Sequence, residues 1–309
     1  MKKRASGWSG LAAFLALATA LLIGTSWAVD TTGRAKIYGI AYVKFKVTDL
    51  AKAQDFYGKE LGLASGGVVN GGSGQVPFFI VNQYQRVELQ KTAPGSGGSY
   101  LLGIGLATDN VAKMREYLTA KGVPADRLAT WPDGTKYFET GDPEGNRLVF
   151  VEQHRNSEAK GTEGAISHKL IHAGIIVKDS DAENKFYQDV LGFHVYWHGG
   201  MTDDETNWMA MQVPDGTDWI EYMLKIGPDP DKHTRGVMYH ISLGVPSVAA
   251  AAKELEARGY SGFEPPKIGK DGKWQLNLYD PDDTRVELME FTPVQKPCCS
   301  EFTGTHPKP

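Results

Sequence analysis

The sequence predicts an α+β protein made of four repeated strand–helix–strands units, paired into two halves. Three observations carry that prediction. Residues 42–63 recur at 172–193 with a constant offset, and residues 103–122 recur at 240–259. Each half then closes on an Asp-Pro turn and an alternating strand, DPEGNRLVF at 142–150 and DPDDTRVEL at 280–288. At 309 residues the chain exceeds the usual size of a single core, which fits two domains.

Residues 1–28 stand apart from the fold. Lys2, Lys3 and Arg4 precede an apolar run from Leu11 to Ile23, and Ser26, Trp27 and Ala28 follow. A basic head, a short apolar run and small residues before a cut mark a secretory signal. The run is shorter than the ~18–20 residues of a membrane span. Export to the periplasm or the extracellular space is therefore expected. The mature chain should start near Val29 and keep no membrane contact.

The first repeat reads YVKFKVTDLAKAQDFYGKELGL and returns as HAGIIVKDSDAENKFYQDVLGF. Val47, Asp49, Phe56, Tyr57, Leu61 and Gly62 match Val177, Asp179, Phe186, Tyr187, Leu191 and Gly192. In both copies a strand-like stretch ends at an aspartate suited to N-capping. A helical stripe (Ala182, Phe186, Val190 in the later copy) then runs into a Leu-Gly stop. The second repeat gives a strand, a helix capped in its later copy by Ser247, and a glycine stop. The Asp-Pro pair starts a turn, and the residues after it alternate as a strand should.

The glycine-rich pieces at 66–74 and 94–98 lack a P-loop lysine and a strand–turn–helix context, so they read as hairpin or inter-unit loops. The halves span 37–153 and 168–292, joined by a polar linker at 154–167. Residues 293–309 read as an exposed tail. Its Cys298 and Cys299 are neighbours, whereas bridged cysteines usually have Cα atoms ~4.4–6.8 Å apart. Free or intermolecularly paired thiols are expected, with a soft-metal site that includes His306 as the alternative. The formal charge of −4, with acids and bases interspersed, gives no reason to expect nucleic acid.

The FYxxxLG pattern at 56–62 and 186–192, together with the two Asp-Pro strands, resembles the βαβββ modules of the vicinal-oxygen-chelate superfamily. That group includes glyoxalase I, extradiol dioxygenases, fosfomycin-resistance enzymes and bleomycin-binding proteins. The resemblance covers nearly all of the chain between signal and tail. It implies two open-barrel domains of paired modules, with any metal ligands on the inner face. It leaves the chemistry open, because unrelated reactions share the scaffold.

His172 and His240 hold corresponding places at the start of strands in the third and fourth units, and Glu287 lies on the strand that closes the fourth. Two imidazoles and a carboxylate suit one divalent ion (Fe2+, Zn2+, Ni2+ or Mn2+) with coordination positions left open. The resemblance places a carboxylate ligand at Glu287 and, in glyoxalase I-like members, a further glutamate at Glu221. Glu221 thus reads as a fourth ligand or a base, with an exposed or hairpin-paired glutamate as the alternative. The aligned residues of the first half are Tyr42, Gly103 and Val149, so that half should be metal-free, and Glu88 is the counterpart of Glu221.

His194 and His198 read as rim residues or acid–base groups. Trp208, Met211, Trp219 and Tyr222 suggest an apolar, aromatic-lined second half, which reads as ordinary core packing or, alternatively, as a surface for an aromatic or hydrophobic small molecule. The extra histidine and tyrosine of extradiol dioxygenases align with Ile268 and Asn277, and the arginine that binds glutathione adducts is missing after His172. The sequence therefore predicts an exported metal-dependent enzyme acting on a small molecule that chelates through adjacent oxygens, by dioxygenase-like or glyoxalase/isomerase-like chemistry. A non-catalytic binding protein for a toxin or antibiotic is the alternative from another class.

Overall fold

A computed structural model describes Met1 and residues 31–71, 74–95, 98–155 and 160–309. The signal expected at residues 1–28 lies outside them. The first half contains β1 (Ile37–Val47), α1 (Leu50–Asp55), β2 (Ala64–Gly71), β3 (Gly74–Asn82), β4 (Gln85–Lys91), β5 (Leu101–Thr108), α2 (Val111–Ala120), β6 (Ala129–Thr130), β7 (Lys136–Gly141) and β8 (Arg147–Glu152). The second contains β9 (Lys169–Ile176), α3 (Ser180–Asn184), β10 (His194–Gly199), β11 (Trp208–Gln212), β12 (Trp219–Met223) and α4 (Lys232–Met238). It continues through β13 (His240–Val245), α5 (Val248–Ala257), β14 (Lys267–Ile268), β15 (Trp274–Tyr279) and β16 (Arg285–Glu290).

Each half is one curled eight-stranded sheet, and the two strand orders match: β2-β3-β4-β1-β5-β8-β7-β6 and β10-β11-β12-β9-β13-β16-β15-β14. Within a half the first strands of its two modules pair antiparallel, β1 with β5 and β9 with β13. The α+β architecture of two open-barrel domains is thus the one expected.

The local signals act as their chemistry dictates. Asp49 accepts from the Lys52 amide at 3.2 Å and Asp179 from the Ala182 amide at 3.0 Å, which starts α1 and α3. Both helices continue as a π-helical turn, Phe56–Glu60 and Lys185–Val190, that buries the repeated Phe-Tyr pair. Gly62 and Gly192, at φ 68° and 77°, supply the left-handed residue that ends each. The short α4, which the sequence reading did not assign, is capped by Asp231 and leads directly into β13.

The halves are held by a crossed contact that explains why both motifs recur. The Asp-Pro turn of each half docks on the first helix of the other. Asp282 accepts from the Thr48 amide at 2.7 Å, while Glu144 accepts from the amides of Lys178 and Asp179 at 2.6 and 2.8 Å. Tyr187 donates to Asp142 at 3.3 Å, and Tyr57 faces Asp280 in the mirrored position. Buried Asp218 adds a further tie, accepting from the Ile40 amide at 2.9 Å and pairing with Lys169 at 2.5 Å. One apolar core runs through both halves.

The tail departs from expectation. Residues 294–306 lie against the second half and bond to it repeatedly, so the segment is not a free extension. Cys298 and Cys299 are joined in a disulfide instead of remaining as free thiols, and His306 bonds to Tyr196.

Glu183, at the start of α3, sits at the crossed contact with no exposed surface and accepts from the Glu144 amide at 2.9 Å. Burial, reinforced by Asp142, pushes its carboxyl from 4.5 up to about 8. The folded state therefore holds a proton that the unfolded state releases at lower pH. This contribution to stability is complete below pH ~4.5 and is lost as pH rises through about 8. Glu183→Gln should keep the amide contact, flatten the pH dependence of the urea midpoint across that window, and exceed the parent's midpoint above pH 8. An unchanged pH profile contradicts this account.

Candidate metal centre

The central antiparallel pair of the second half sets the site. On β9 and β13, His172 stands opposite Ser242 and Gly174 opposite His240. On the flanking strands, Glu221 of β12 is in register with Gly174 and Glu287 of β16 with Ser242. Four side chains from four neighbouring strands therefore rise from one patch of the inner face. Gly174 makes this possible: a Cβ there would lie 2.1 Å from the His240 ring.

The ligand atoms converge. His172 Nε2 and His240 Nε2 are 3.1 Å apart, and His172 Nε2 is 3.5 Å from a Glu287 oxygen. A Glu221 oxygen lies 3.2 Å from His240 Nε2 and 3.7 Å from His172 Nε2. Metal–nitrogen bonds of ~2.0–2.1 Å at angles of ~90–110° require nitrogens ~2.9–3.4 Å apart, which the imidazole pair satisfies. His172, His240 and Glu287 are all buried.

The protonation chemistry fits the same reading. Burial pushes both imidazoles well below 6.5, so each is neutral and keeps a lone pair to give. The contact of His240 Nδ1 with the Met238 carbonyl at 3.1 Å requires Nδ1 to donate, which leaves Nε2 bare toward the cluster. His172 Nδ1 has no hydrogen-bond partner. Burial also pushes Glu287 up to about 7, against the pull of Arg285. Two lone pairs and two carboxyl groups aimed at one buried point form a strong acceptor set with few protons, and a cation relieves it. Arg285 supplies part of that relief by donating to His240 Nε2 at 2.7 Å. A metal ion in the cluster needs that lone pair, so the guanidinium must then withdraw.

The cluster opens into a cavity of about 590 Å³ lined by Glu221, Glu287, Arg285 and Asn277 and by the aromatic rings of Tyr196, Trp197, Trp208, Trp219 and Phe302. Met211 and Tyr222 are buried in the main core, the ordinary packing role for such residues. His194 and His198 are on edge strand β10 and are not among the lining side chains. His198 contacts the tail, its backbone exchanging two hydrogen bonds with Ser300.

The first half answers the same geometric problem differently. In sheet register Tyr42 takes the place of His172, Lys44 of Gly174, Gly103 of His240, Glu88 of Glu221 and Val149 of Glu287. Lys44 reaches Glu88 at 3.0 Å and Arg86 reaches it at 2.8 Å, while the Arg86 guanidinium lies over the rings of Tyr42, Phe78 and Trp131. Here side-chain cations neutralise the buried glutamate.

Gly174 and Arg285 were missed in the sequence. Both were within reach, because each lies two residues from a ligand on the same strand and so shares its face.

Comparison with known proteins bears on the family and the fold. The family model of the Glyoxalase/Bleomycin resistance protein/Dioxygenase superfamily matches residues 169–288. Those residues form a domain of that superfamily. The chain is also similar to a lactoylglutathione lyase from Haemophilus influenzae, 27% identical over 124 residues, which are 40% of this chain and 92% of the lyase. Among solved structures, homoprotocatechuate 2,3-dioxygenase from Arthrobacter globiformis matches 83% of this chain and 81% of its own at TM-score 0.60 and 19% identity. A 2,3-dioxygenase from Pseudomonas sp. KL28 matches 89% of this chain and 95% of its own at TM-score 0.62 and 16% identity. At such identities the dioxygenase structures speak for the superfamily's fold in both halves, and for the fold alone.

Gly174→Ala places a methyl group where the His240 ring lies. The variant should fold, with unchanged far-UV circular dichroism, and lose at least ~100-fold in affinity for Zn2+ or Co2+, as expected when an imidazole is turned from its ion. Wild-type affinity in a folded Gly174→Ala protein would contradict the geometry.

Proposed function

We propose that this protein is a metal-dependent enzyme. It would act by isomerase- or lyase-type proton transfer on a small organic molecule whose adjacent oxygens chelate one divalent ion. The observation that carries this reading is the Glu221 oxygen 3.2 Å from His240 Nε2 and 3.7 Å from His172 Nε2, beside the set of His172, His240 and Glu287. His172, His240 and Glu287 would hold the ion, and Glu221 would complete the set. When bound, the ion would polarise the substrate's adjacent oxygens and stabilise the negative charge that develops on them.

The chain's own residues would do the rest. Glu221, the more exposed of the two glutamates, would take a proton from the hydroxyl-bearing carbon and return it to the neighbouring carbonyl carbon, while the hydroxyl proton passes to the adjacent oxygen. The aromatic wall of Trp208 and Trp219 would exclude water and hold an apolar substituent. Arg285, displaced from His240, would sit beside the substrate's anionic oxygens. Asn277 donates to Glu264 at 3.1 Å and Tyr279 to the same carboxylate, so neither is free as an acid–base group for ring cleavage.

The first half would serve as a metal-free partner, its cation needs met by Lys44 and Arg86. Export through residues 1–28 belongs to the same proposal. N-terminal sequencing of the protein from the producing cell's exported fraction should begin near Val29.

Purified protein should hold one Fe2+, Zn2+, Ni2+ or Mn2+ per chain by elemental analysis. His172→Ala should abolish that content, and Glu88→Gln should leave the stoichiometry at one. Glu221→Gln, assayed at saturating metal against α-hydroxycarbonyl compounds, should lose ~10²–10⁴ in turnover, the usual contribution of a general base. Oxygen uptake with catechols on an iron-loaded protein would overturn the isomerase reading. Ligand binding that survives both chelation and His172→Ala would favour a non-catalytic binding protein.

A further inference from the structure

The curled sheet of the second half has two edges, β10 on one side and β14 on the other. The tail runs between them. Near the β14–β15 turn, the Val294 amide donates to the Gly272 carbonyl at 2.8 Å and the Cys298 amide to the Lys270 carbonyl at 2.8 Å. The backbone passes so close that a Cβ on Gly272 would stand 2.3 Å from the Gln295 carbonyl oxygen. At the β10 edge, Trp197 Nε1 donates to the Cys298 carbonyl at 3.2 Å and the Thr303 amide to the Tyr196 carbonyl at 3.0 Å. Between these anchors Gln295, Lys296, Pro297, Cys298 and Phe302 line the cavity.

Beneath the tail lies Lys273, which is outside the His172–His240–Glu287 set but feels the charges of Asp271, Glu287 and Glu221. It is fully buried, and its ammonium lies 4.9 Å from the Trp219 ring, 5.2 Å from Tyr196 and 5.1 Å from Phe302. Its hydrogen bond goes to Tyr196 Oη at 3.3 Å, and the same hydroxyl bonds His306 of the tail. Trp219 in turn packs on the His172 ring, with centroids 4.9 Å apart. The nearby carboxylates of Asp271, Glu287 and Glu221 also favour the Lys273 ammonium, and the share that the ring quadrupoles add lasts only while each enclosing face is in place. Two pieces of that enclosure, Phe302 and His306, belong to the tail.

We propose that residues 294–306 form a strap that narrows the open side of the second half-barrel and limits which molecules reach the His172–His240–Glu287 cluster, with Lys273 as its latch. Seated, the strap keeps the ammonium dry and leaves the cavity partly open beside it. Lifted, it hydrates Lys273 and widens the cavity between β10 and the β14–β15 turn. The size of molecule admitted therefore follows the position of the strap. The inference concerns the cavity and goes beyond the metal reading, so the two fail separately.

The test acetylates full-length protein with N-acetoxysuccinimide and follows each lysine by peptide mass. Lys273 should react at least ~100-fold more slowly than exposed Lys59 and Lys253, as expected of a group reached only through local opening. Phe302→Ala, and Phe302→Leu should the first fail to fold, should raise the Lys273 rate at least ~10-fold and leave Lys59 and Lys253 unchanged, because the ring face is gone. The same variants loaded with Co2+ should release it to EDTA ~10-fold faster, tracking the same opening. Equal reactivity of Lys273 and Lys59 in the parent, or an unchanged Lys273 rate in both Phe302 variants, overturns the strap. If the parent binds no Co2+, the metal reading fails while the acetylation rates still decide the strap.

Discussion

A carboxylate in a dry cavity needs positive charge close by, and that constraint shapes both halves of this protein. Each half presents a glutamate at the same sheet position, Glu88 in one and Glu221 in the other. In the first half the charge is built in, as Lys44 and Arg86. In the second, the lysine's place is taken by Gly174, and the room it leaves is filled by the His240 ring. The lysine at this position has been exchanged for a set of lone pairs, and positive charge comes instead from Arg285 on β16 and Lys273 at the start of β15. Arg285 makes good only part of the deficit, through one bond to His240. The case for a metal therefore rests on electrostatics as well as on ligand spacing.

Much of the fold was legible because duplication writes each signal twice. The Asp caps, the Phe-Tyr pairs and the Leu-Gly stops are local chemistry, and a constant offset separates them from chance. The ligand positions were legible for the same reason, since the register that aligned His172 with Tyr42 and Glu221 with Glu88 is the register of the sheets. Long-range effects were not legible. No local rule says that Met211 and Tyr222 turn to the core while Trp208 and Trp219 turn to the cavity. Alternation on a strand assigns residues to two faces without saying which face is inside, and both faces of this sheet are covered.

The tail shows the same limit from the other side. Its composition of prolines, small residues and charges reads as an extension, and nothing in it repeats. Its order comes from partners on β10 and at the β14–β15 turn, which chain folding alone brings to either side of the gap. Buried Lys273 was silent for a related reason: a lysine on a polar turn looks solvent-exposed until the rings that enclose it are assembled.

The crossed seating of the Asp-Pro turns bears on what is gained by carrying both halves in one chain. A lone half would carry one accepting turn and one donating helix start, each without its complement. Two copies of such a half, facing one another, would satisfy both at once, with Tyr against Asp in each direction. Within one chain the linker holds the two halves at high effective concentration, so the clasp forms without a second molecule.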